Sequence, residues 1–564
     1  MGKASTLPPA KQSVGTKVDG RSSLLETARS SEKVLTCAAI VFAIFATFAL
    51  RAFGIDVSYN ILGDELYYLE VSRGVLLTLW VLDLDGYPFY VHPPGLFFLE
   101  AAYLKIFDIP LIRGHLFDKI HAVRYLDAAL AGLSAGVLLH SGWRLAGWPA
   151  GVAAAALFAL DPFSIKMNSL NLLETPSGLW ILLGYGVLFS ALVRAERRPV
   201  SWWRTVVAGV LFGLALLTKE VSTLVTLLPL GICFVLGWAL PRTQSALVAV
   251  VALIVYAPYP AIAYARGEWV DFVDQKSSGV SRLAGLLQIT GYNQRGGPSF
   301  LEAIVANLNE FATTYVLLAT GAAALCVLLL TNLGRTPARQ LLASWTMSAY
   351  AYLGYSIFFG TLEEQFFYYL AGPSILATTV TTLLVLQRVM GFSRHLSRAE
   401  RPARATRLYR LATQAAVVIL AGAVTLWNAY IWVMVHTVPD NGYQRVVSYV
   451  QRQPEGSRVA AMDEVSEILI KERGYARSLQ FKSVEDLRAD NIDYVVINSF
   501  LATERYKKPP LGVYRWVRNH GRLVYAFDYR GSGFSGFGAC RITPKGLPLK
   551  APRPLWKWQV EGAS

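Results

Sequence analysis

Between Val34 and Val435 the chain alternates long apolar runs with short polar, mostly basic segments. The runs fall at 34–53, 95–107, 123–141, 149–163, 172–193, 205–218, 220–239, 245–264, 311–331, 340–359, 366–387 and 411–435. None shows the two-residue alternation of a half-buried strand, so the pattern predicts helices that cross a bilayer. Twelve crossings would return the chain to its starting side, but the charges ask for the opposite. Residues 388–410 carry seven arginines (388, 394, 398, 401, 404, 407, 410) against one glutamate, which places this segment in the cytoplasm and the region after the last run outside. With the N-terminus inside, the number of crossings is odd. The expectation is therefore an all-α polytopic membrane protein with about 11–13 transmembrane helices. One crossing between 149 and 240 is replaced by a re-entrant or broken helix.

The flanks read differently. Residues 1–33 are polar, with Pro8-Pro9 and a basic excess (Lys3, Lys11, Lys17, Arg21, Arg29, Lys33), and are expected to form a disordered cytoplasmic tail. From 436 to 564 the composition becomes that of a soluble protein. Charged helices (Tyr443–Arg452, Glu464–Arg473) mix there with strand-like runs (Asp493–Ile497, Arg522–Phe527), predicting a small extracytoplasmic α/β domain. The Pro-, Lys- and Trp-rich stretch Pro544–Trp558 is expected to loop back over a surface.

Composition confirms the class. Of 564 residues 54% are hydrophobic and only 16% charged, far too apolar for a soluble globular protein. The net charge of +15 lies in short segments between apolar runs, so topology explains it and nucleic acid is not implied. Cys37, Cys233, Cys326 and Cys540 lie apart, signalling neither a metal cluster nor a disulfide framework.

Candidate chemistry collects between the first two runs, in a loop (54–92) longer than most connections. It contains Gly63-Asp64-Glu65-Leu66-Tyr67-Tyr68, two adjacent carboxylates just outside a membrane helix, a costly place for charge unless something uses it. Tyr67–Leu82 reads as a helix along the interface, and His92-Pro93-Pro94-Gly95 opens the next helix with prolines where no amide donor is lost. Lys219 with Glu220 interrupts the apolar pattern, as do Lys166 and Glu174 around the break at Asp161-Pro162. Lys219 and Glu220 can also be read as an internal ion pair, and Arg124 with Asp127 as a structural i,i+3 pair. Acids at a helix start need no catalysis to explain them, so Asp64 and Glu65 also fit simple capping.

These residues occur in an order that resembles the GT-C glycosyltransferases related to protein O-mannosyltransferases and to the lipid A aminoarabinose transferase. The order is Asp64-Glu65 after the first helix, Pro93-Pro94 opening the second, Val123-Arg124-Tyr125-Leu126 opening the third, Leu172-Leu173-Glu174 ending a polar break, then Gly213-Leu214-Ala215-Leu216-Leu217-Thr218-Lys219-Glu220. The likeness covers roughly residues 34–435. It implies sugar transfer from a polyprenyl-phosphate carrier to a protein, lipid or glycan acceptor on the outer face of a plasma (inner) membrane, with Asp64 as catalytic base. Glu65 then orients the acceptor, shares the proton or helps hold a metal. Lys219, His92 and Lys166 are implied to meet the donor phosphate, and Tyr67, Glu174, Glu363 and Glu364 to line the substrate cavity. Two departures stand out. His92 replaces the lysine of many relatives' Lys-Pro-Pro, and Ser169 stands where many have arginine, leaving Lys166 to supply that charge. No cofactor is required by the likeness, and a divalent metal is compatible with it.

Outside the motifs, Arg266–Glu310 forms a long polar outer loop, and Glu363-Glu364-Gln365 precedes the aromatic cluster Phe366–Tyr369, which suits either sugar binding or an interfacial belt. The competing class is a transporter or flippase, against which stands the lack of any repeat and the collection of polar motifs at one face. A catalytically dead scaffold is a third reading.

Overall fold

In the computed structural model the described residues are 20–83, 86–109, 116–194, 200–287, 300–398, 403–437, 440–454, 457–461, 465, 468, 483–489, 492–498, 511–527 and 555–560. Glu464–Arg473 and residues 544–554, both of which carried expectations, lie mostly or wholly outside them.

Every one of the twelve apolar runs is helical. In chain order the helices are α1 (Gly20–Ala52), α2 (Gly63–Thr78), α3 (Gly95–Ile106), α4 (Leu116–Ala146), α5 (Trp148–Leu160), α6 (Pro162–Asn168), α7 (Glu174–Arg194), α8 (Trp202–Thr218) and α9 (Thr223–Leu236). There follow α10 (Arg242–Tyr256), α11 (Pro258–Ala265), α12 (Trp269–Leu283), α13 (Phe300–Ala306), α14 (Leu308–Leu330), α15 (Pro337–Phe358), α16 (Tyr368–Arg398), α17 (Ala403–Thr437) and α18 (Gly442–Val450). Helix α1 begins at Gly20, so residues 20–33, expected as tail, continue the first helix.

Among the described residues seven helices are long and apolar enough to cross a membrane, and eight if the bent pair α5–α6 counts as one. The chain is a multi-pass membrane protein. Runs at 95–107 and 149–163 yield helices of 12 and 13 residues, shorter than the roughly 20 a straight span needs. The stretch 149–240, where the charges demanded an irregular crossing, holds two breaks. Helices α5 and α6 meet at 65° at Asp161-Pro162, and α8 stops at Lys219, whose backbone is extended (φ −154°, ψ 121°). Arg51 secures the first break: fully buried at the end of α1, it donates to the carbonyls of Phe158 (2.9 Å) and Ala159 (3.2 Å).

Small residues let the helices approach. A Cβ on Gly209 or Gly213 of α8 would stand 2.9 or 2.8 Å from a carbonyl oxygen of α10, a small-xxx-small crossing. The core between helices is aromatic as well as aliphatic, with Trp345 stacked on Tyr185 at 4.0 Å.

Strands β1 (Val459–Ala461), β2 (Tyr494–Asn498), β3 (Gly521–Phe527) and β4 (Leu555–Val560) form one sheet in the order β1-β2-β4-β3. β1 and β2 are parallel, and β4 runs antiparallel to both neighbours. The end of the stretch expected to loop over a surface is thus an inner strand. This domain packs against the helical part through a second core in which Leu66 and Leu69 of α2, Leu104 of α3 and Ile120 of α4 meet Val446, Val459 and Val496.

Candidate active site

Helix α2 starts at Gly63, four residues before the expected interfacial helix, and so takes Asp64 and Glu65 into its first turn. The two carboxylates part company there. Glu65 is fully buried, and its two oxygens accept from Arg124 Nε and Nη2 at 2.7 Å each. They also accept from the Asn171 amide (2.9 Å) and the Leu62 amide (2.9 Å). Arg124 completes the knot by donating to the carbonyls of Ile55 (3.1 Å), Tyr59 (2.9 Å) and Asn60 (3.1 Å). The expected Arg124–Asp127 pair is therefore corrected: three positions along a helix the guanidinium turns to α2 instead, because Glu65 offers a bidentate partner.

Asp64 is open to solvent and makes no hydrogen bond among the described residues. Enclosure by surrounding protein still pushes its carboxyl up to about 6, followed by the Glu363 charge, with Lys219 pulling the other way. Tyr68, one turn on, is buried and faces the Asp64 charge.

The two cations whose charges act on Asp64, Lys219 and Arg282, each hold a carboxylate, as do Lys276 and Lys166 elsewhere. Lys219 pairs with Glu174 and lies 5.5 Å above the Phe366 ring, with both charged groups buried. Arg282 from α12 pairs with Glu363. Lys276, also from α12, reaches Glu220 at 2.6 Å and the Val91 carbonyl at 3.5 Å, and Lys166 reaches Glu364 at 2.7 Å. The alternative reading of Lys219 and Glu220 as an internal pair is not what forms: each meets a partner elsewhere, the backbone at Lys219 being extended.

His92 stands edge-on to Tyr68, ring centroids 5.7 Å apart. Burial first, then the charges of Lys219, Lys276 and Arg282, hold its imidazole well below the ordinary histidine range, so it is neutral. The charge absent at His92 is present beside it in Lys276. Sequence reading placed Lys276 and Arg282 only in a polar loop. Their amphipathic helix brings them back across it, and Gln275 latches that helix to residues 88–90 by accepting from the Tyr90 amide (2.6 Å) and donating to the Pro88 carbonyl (2.9 Å).

The other candidates fall as follows. Tyr67 is half-buried against both cores. Phe366–Tyr369 are all buried, so they form neither a belt nor an open sugar platform; they brace the floor under Lys219. Glu100, fully buried, accepts from Ser72 at 2.6 Å and ties α3 to α2. Residues 288–299 of the long polar loop lie outside the described residues. Among the described residues no three His, Cys, Asp or Glu side chains are grouped to hold a metal.

No protein-family model and no curated protein matches this chain. Solved structures do resemble it. The archaeal oligosaccharyltransferase AglB from Archaeoglobus fulgidus, in complex with an inhibitory peptide and a dolichol-phosphate, gives a TM-score of 0.58 at 14% identity over 93% of this chain and 76% of that one. ArnT from Cupriavidus metallidurans bound to undecaprenyl phosphate gives 0.52 at 13% identity over 95% and 99%. At such identities the likeness speaks for the fold.

Proposed function

Starting from a chain that has the GT-C glycosyltransferase fold, we propose that it is an integral-membrane glycosyltransferase moving a sugar from a polyprenyl-phosphate-linked donor to a protein, lipid or glycan acceptor. The reading rests on one observation above the others: Asp64 is an open carboxylate without a hydrogen-bond partner among the described residues, acted on by Lys219 and Arg282, which hold their own carboxylates. The donor phosphate sits against Lys219, Lys276 and Arg282, with neutral His92 as a hydrogen-bond donor in place of a charge. Asp64 takes the proton of the acceptor group as its oxygen or nitrogen bonds to the anomeric carbon. The carbon–oxygen bond to phosphate breaks on the opposite side, and the lipid phosphate leaves with the electron pair, stabilised by those cations. Glu65 positions Asp64 through Arg124 and does not touch substrate. The site shares its face with the C-terminal domain; with residues 388–410 in the cytoplasm, both lie outside.

Turnover of polyprenyl-phosphate sugars in proteoliposomes tests this, wild type against Asp64→Asn. Loss of about 10²–10⁴-fold is expected for a general base, with unchanged yield of folded protein. An asparagine variant within a few fold of wild type would sink the reading.

A further inference from the structure

Helices α4, α7 and α8 carry Arg124, Glu174 and, just past the end of α8, Lys219 toward one side of the molecule. Toward the other side all three carry arginines. Arg144 lies twenty residues along α4 from Arg124, and Arg194 twenty along α7 from Glu174. At roughly 1.5 Å per residue each is about 30 Å away, the thickness of a bilayer's hydrocarbon core. The arginines therefore stand at the opposite membrane surface from Asp64.

Packing brings them together. His140 of α4 meets Ser190 of α7 at 2.9 Å, and a Cβ on Gly186 would stand 3.2 Å from Val137, so the two helices run side by side in one direction. Arg144 and Arg194 are each one turn beyond that contact and end at the same level. Helix α8 returns antiparallel, with Phe212 ring-to-ring against Tyr185 at 5.0 Å. Arg194 lies nine residues on from Tyr185 and Arg204 eight back from Phe212, which brings Arg204 to that level too.

None of the three has a carboxylate. Among the described residues no ion pair includes them, and the Arg144 Nε is sealed from solvent without a hydrogen-bond partner. The charges acting on Arg144 are those of Arg194 and Arg204, and those acting on His140 are Arg144 and Arg194. By sequence the connector after Arg194 sets Glu196 against Arg197 and Arg198, so it supplies no net negative charge. Other arginines of this face are occupied differently. Arg242 donates to the carbonyls of Phe234 (3.0 Å) and Val235 (3.5 Å), and Arg339 to those of Leu333 (3.1 Å) and Leu145 (3.4 Å). Around the cluster Trp148, Trp202 and Trp203 are exposed, the residue type that settles at headgroup depth.

We infer that Arg144, Arg194 and Arg204 form a headgroup site for one anionic phospholipid of the leaflet opposite Asp64. Like charges gathered without a counter-ion call for an anion, guanidinium takes a phosphodiester through paired charge-assisted bonds, and the flanking tryptophans lie where the acyl chains of a lipid begin. The headgroup bridges three helix ends whose far ends hold Arg124, Glu174 and Lys219, and so braces the frame of the candidate site from the other leaflet.

Native mass spectrometry of the full chain released from neutral maltoside micelles tests this, with phosphatidylglycerol and phosphatidylcholine of identical acyl chains as probes. Wild type should retain one phosphatidylglycerol at least about tenfold more tightly than phosphatidylcholine, at about fivefold per arginine engaged. Arg144→Gln, Arg194→Gln and Arg204→Gln should each weaken that lipid by about fivefold, while Arg242→Gln, which removes the same charge from the same face, should stay within about twofold. Arg144→Lys, which keeps the charge, should retain most of the affinity. Equal retention of both lipids by wild type, or unchanged affinity in the three glutamine variants, would overturn the site. A loss on Arg242→Gln as large as on Arg144→Gln would overturn it in favour of diffuse surface charge. Displacement of the lipid by inorganic phosphate at equal concentration would overturn it in favour of a soluble anion.

Discussion

Replacing Arg124 by methionine removes the hub on which the Asp64 loop hangs. The guanidinium makes five contacts of 2.7–3.1 Å, two to Glu65 and three to the carbonyls of Ile55, Tyr59 and Asn60, with both side chains fully buried. Without it the Glu65 carboxylate keeps, among the described residues, the backbone amides of Asn171 and Leu62. Breaking a buried pair from one side costs about 3–5 kcal/mol, because the remaining charge stays dry and unmatched. Arg124→Met and Glu65→Gln should each lose stability on that scale. The double variant Arg124→Met, Glu65→Met should lose clearly less than the sum, since no charge is stranded. Unfolding in mixed micelles by SDS titration measures this, with turnover per folded molecule recorded alongside. Asp64→Asn should lose turnover with no loss of stability, whereas Glu65→Gln should lose both together. An Arg124→Met loss below about 1 kcal/mol, the range of exposed ion pairs, would refute the clamp.

Two further expectations follow from the site. Asp64 is raised from 3.8 to about 6, by enclosure first and Glu363 second, so kcat/KM should climb with pH through about 6 as the base ionises. Between those values the folded chain holds a proton that the unfolded chain has lost, so this group subtracts stability as pH rises across the window. Asp64→Asn should therefore melt above wild type near neutrality, with the difference closing toward pH 4; a wild type that melts higher throughout contradicts the placement. Separately, a Cβ at Gly95 would lie 2.6 Å from the Leu217 carbonyl and 2.8 Å from Thr218 Oγ1, pushing the start of α3 off the end of α8, next to Lys219. Gly95→Ala should cost about 1–3 kcal/mol as overpacking and raise the KM for lipid donor, while Gly354→Ala, with nothing within 4 Å, should do neither.

The helices were legible because apolar runs report directly on burial in lipid, and the demand for an odd crossing pointed to the stretch that holds both breaks, at Asp161 and Lys219. Which charge meets which was not legible. Lys219 passes over its neighbour Glu220 for Glu174 where the backbone is extended, and Arg124 passes over Asp127 for Glu65, which offers a bidentate partner. The exposure of Asp64 beside a buried Glu65 follows from the start of α2, which falls where Leu62 supplies no side-chain acceptor and Glu65 reaches back to its amide. Phe366–Tyr369 read as a belt because aromatics favour both interfaces and interiors; only packing decides between them. β4 was missed because Lys and Pro around it look like surface.

That last strand has a bearing on how the molecule is assembled. Segment 555–560 lies between β2 and β3, and among the described residues β3 has no other neighbour in the sheet. During synthesis, then, β3 must wait for residues made far later before its backbone amides find partners. The module of which it forms part leans on Leu66 and Leu69, just beyond Asp64 on α2. A clipped or occluded strand at 555–560 would therefore be felt at Asp64, hundreds of residues upstream.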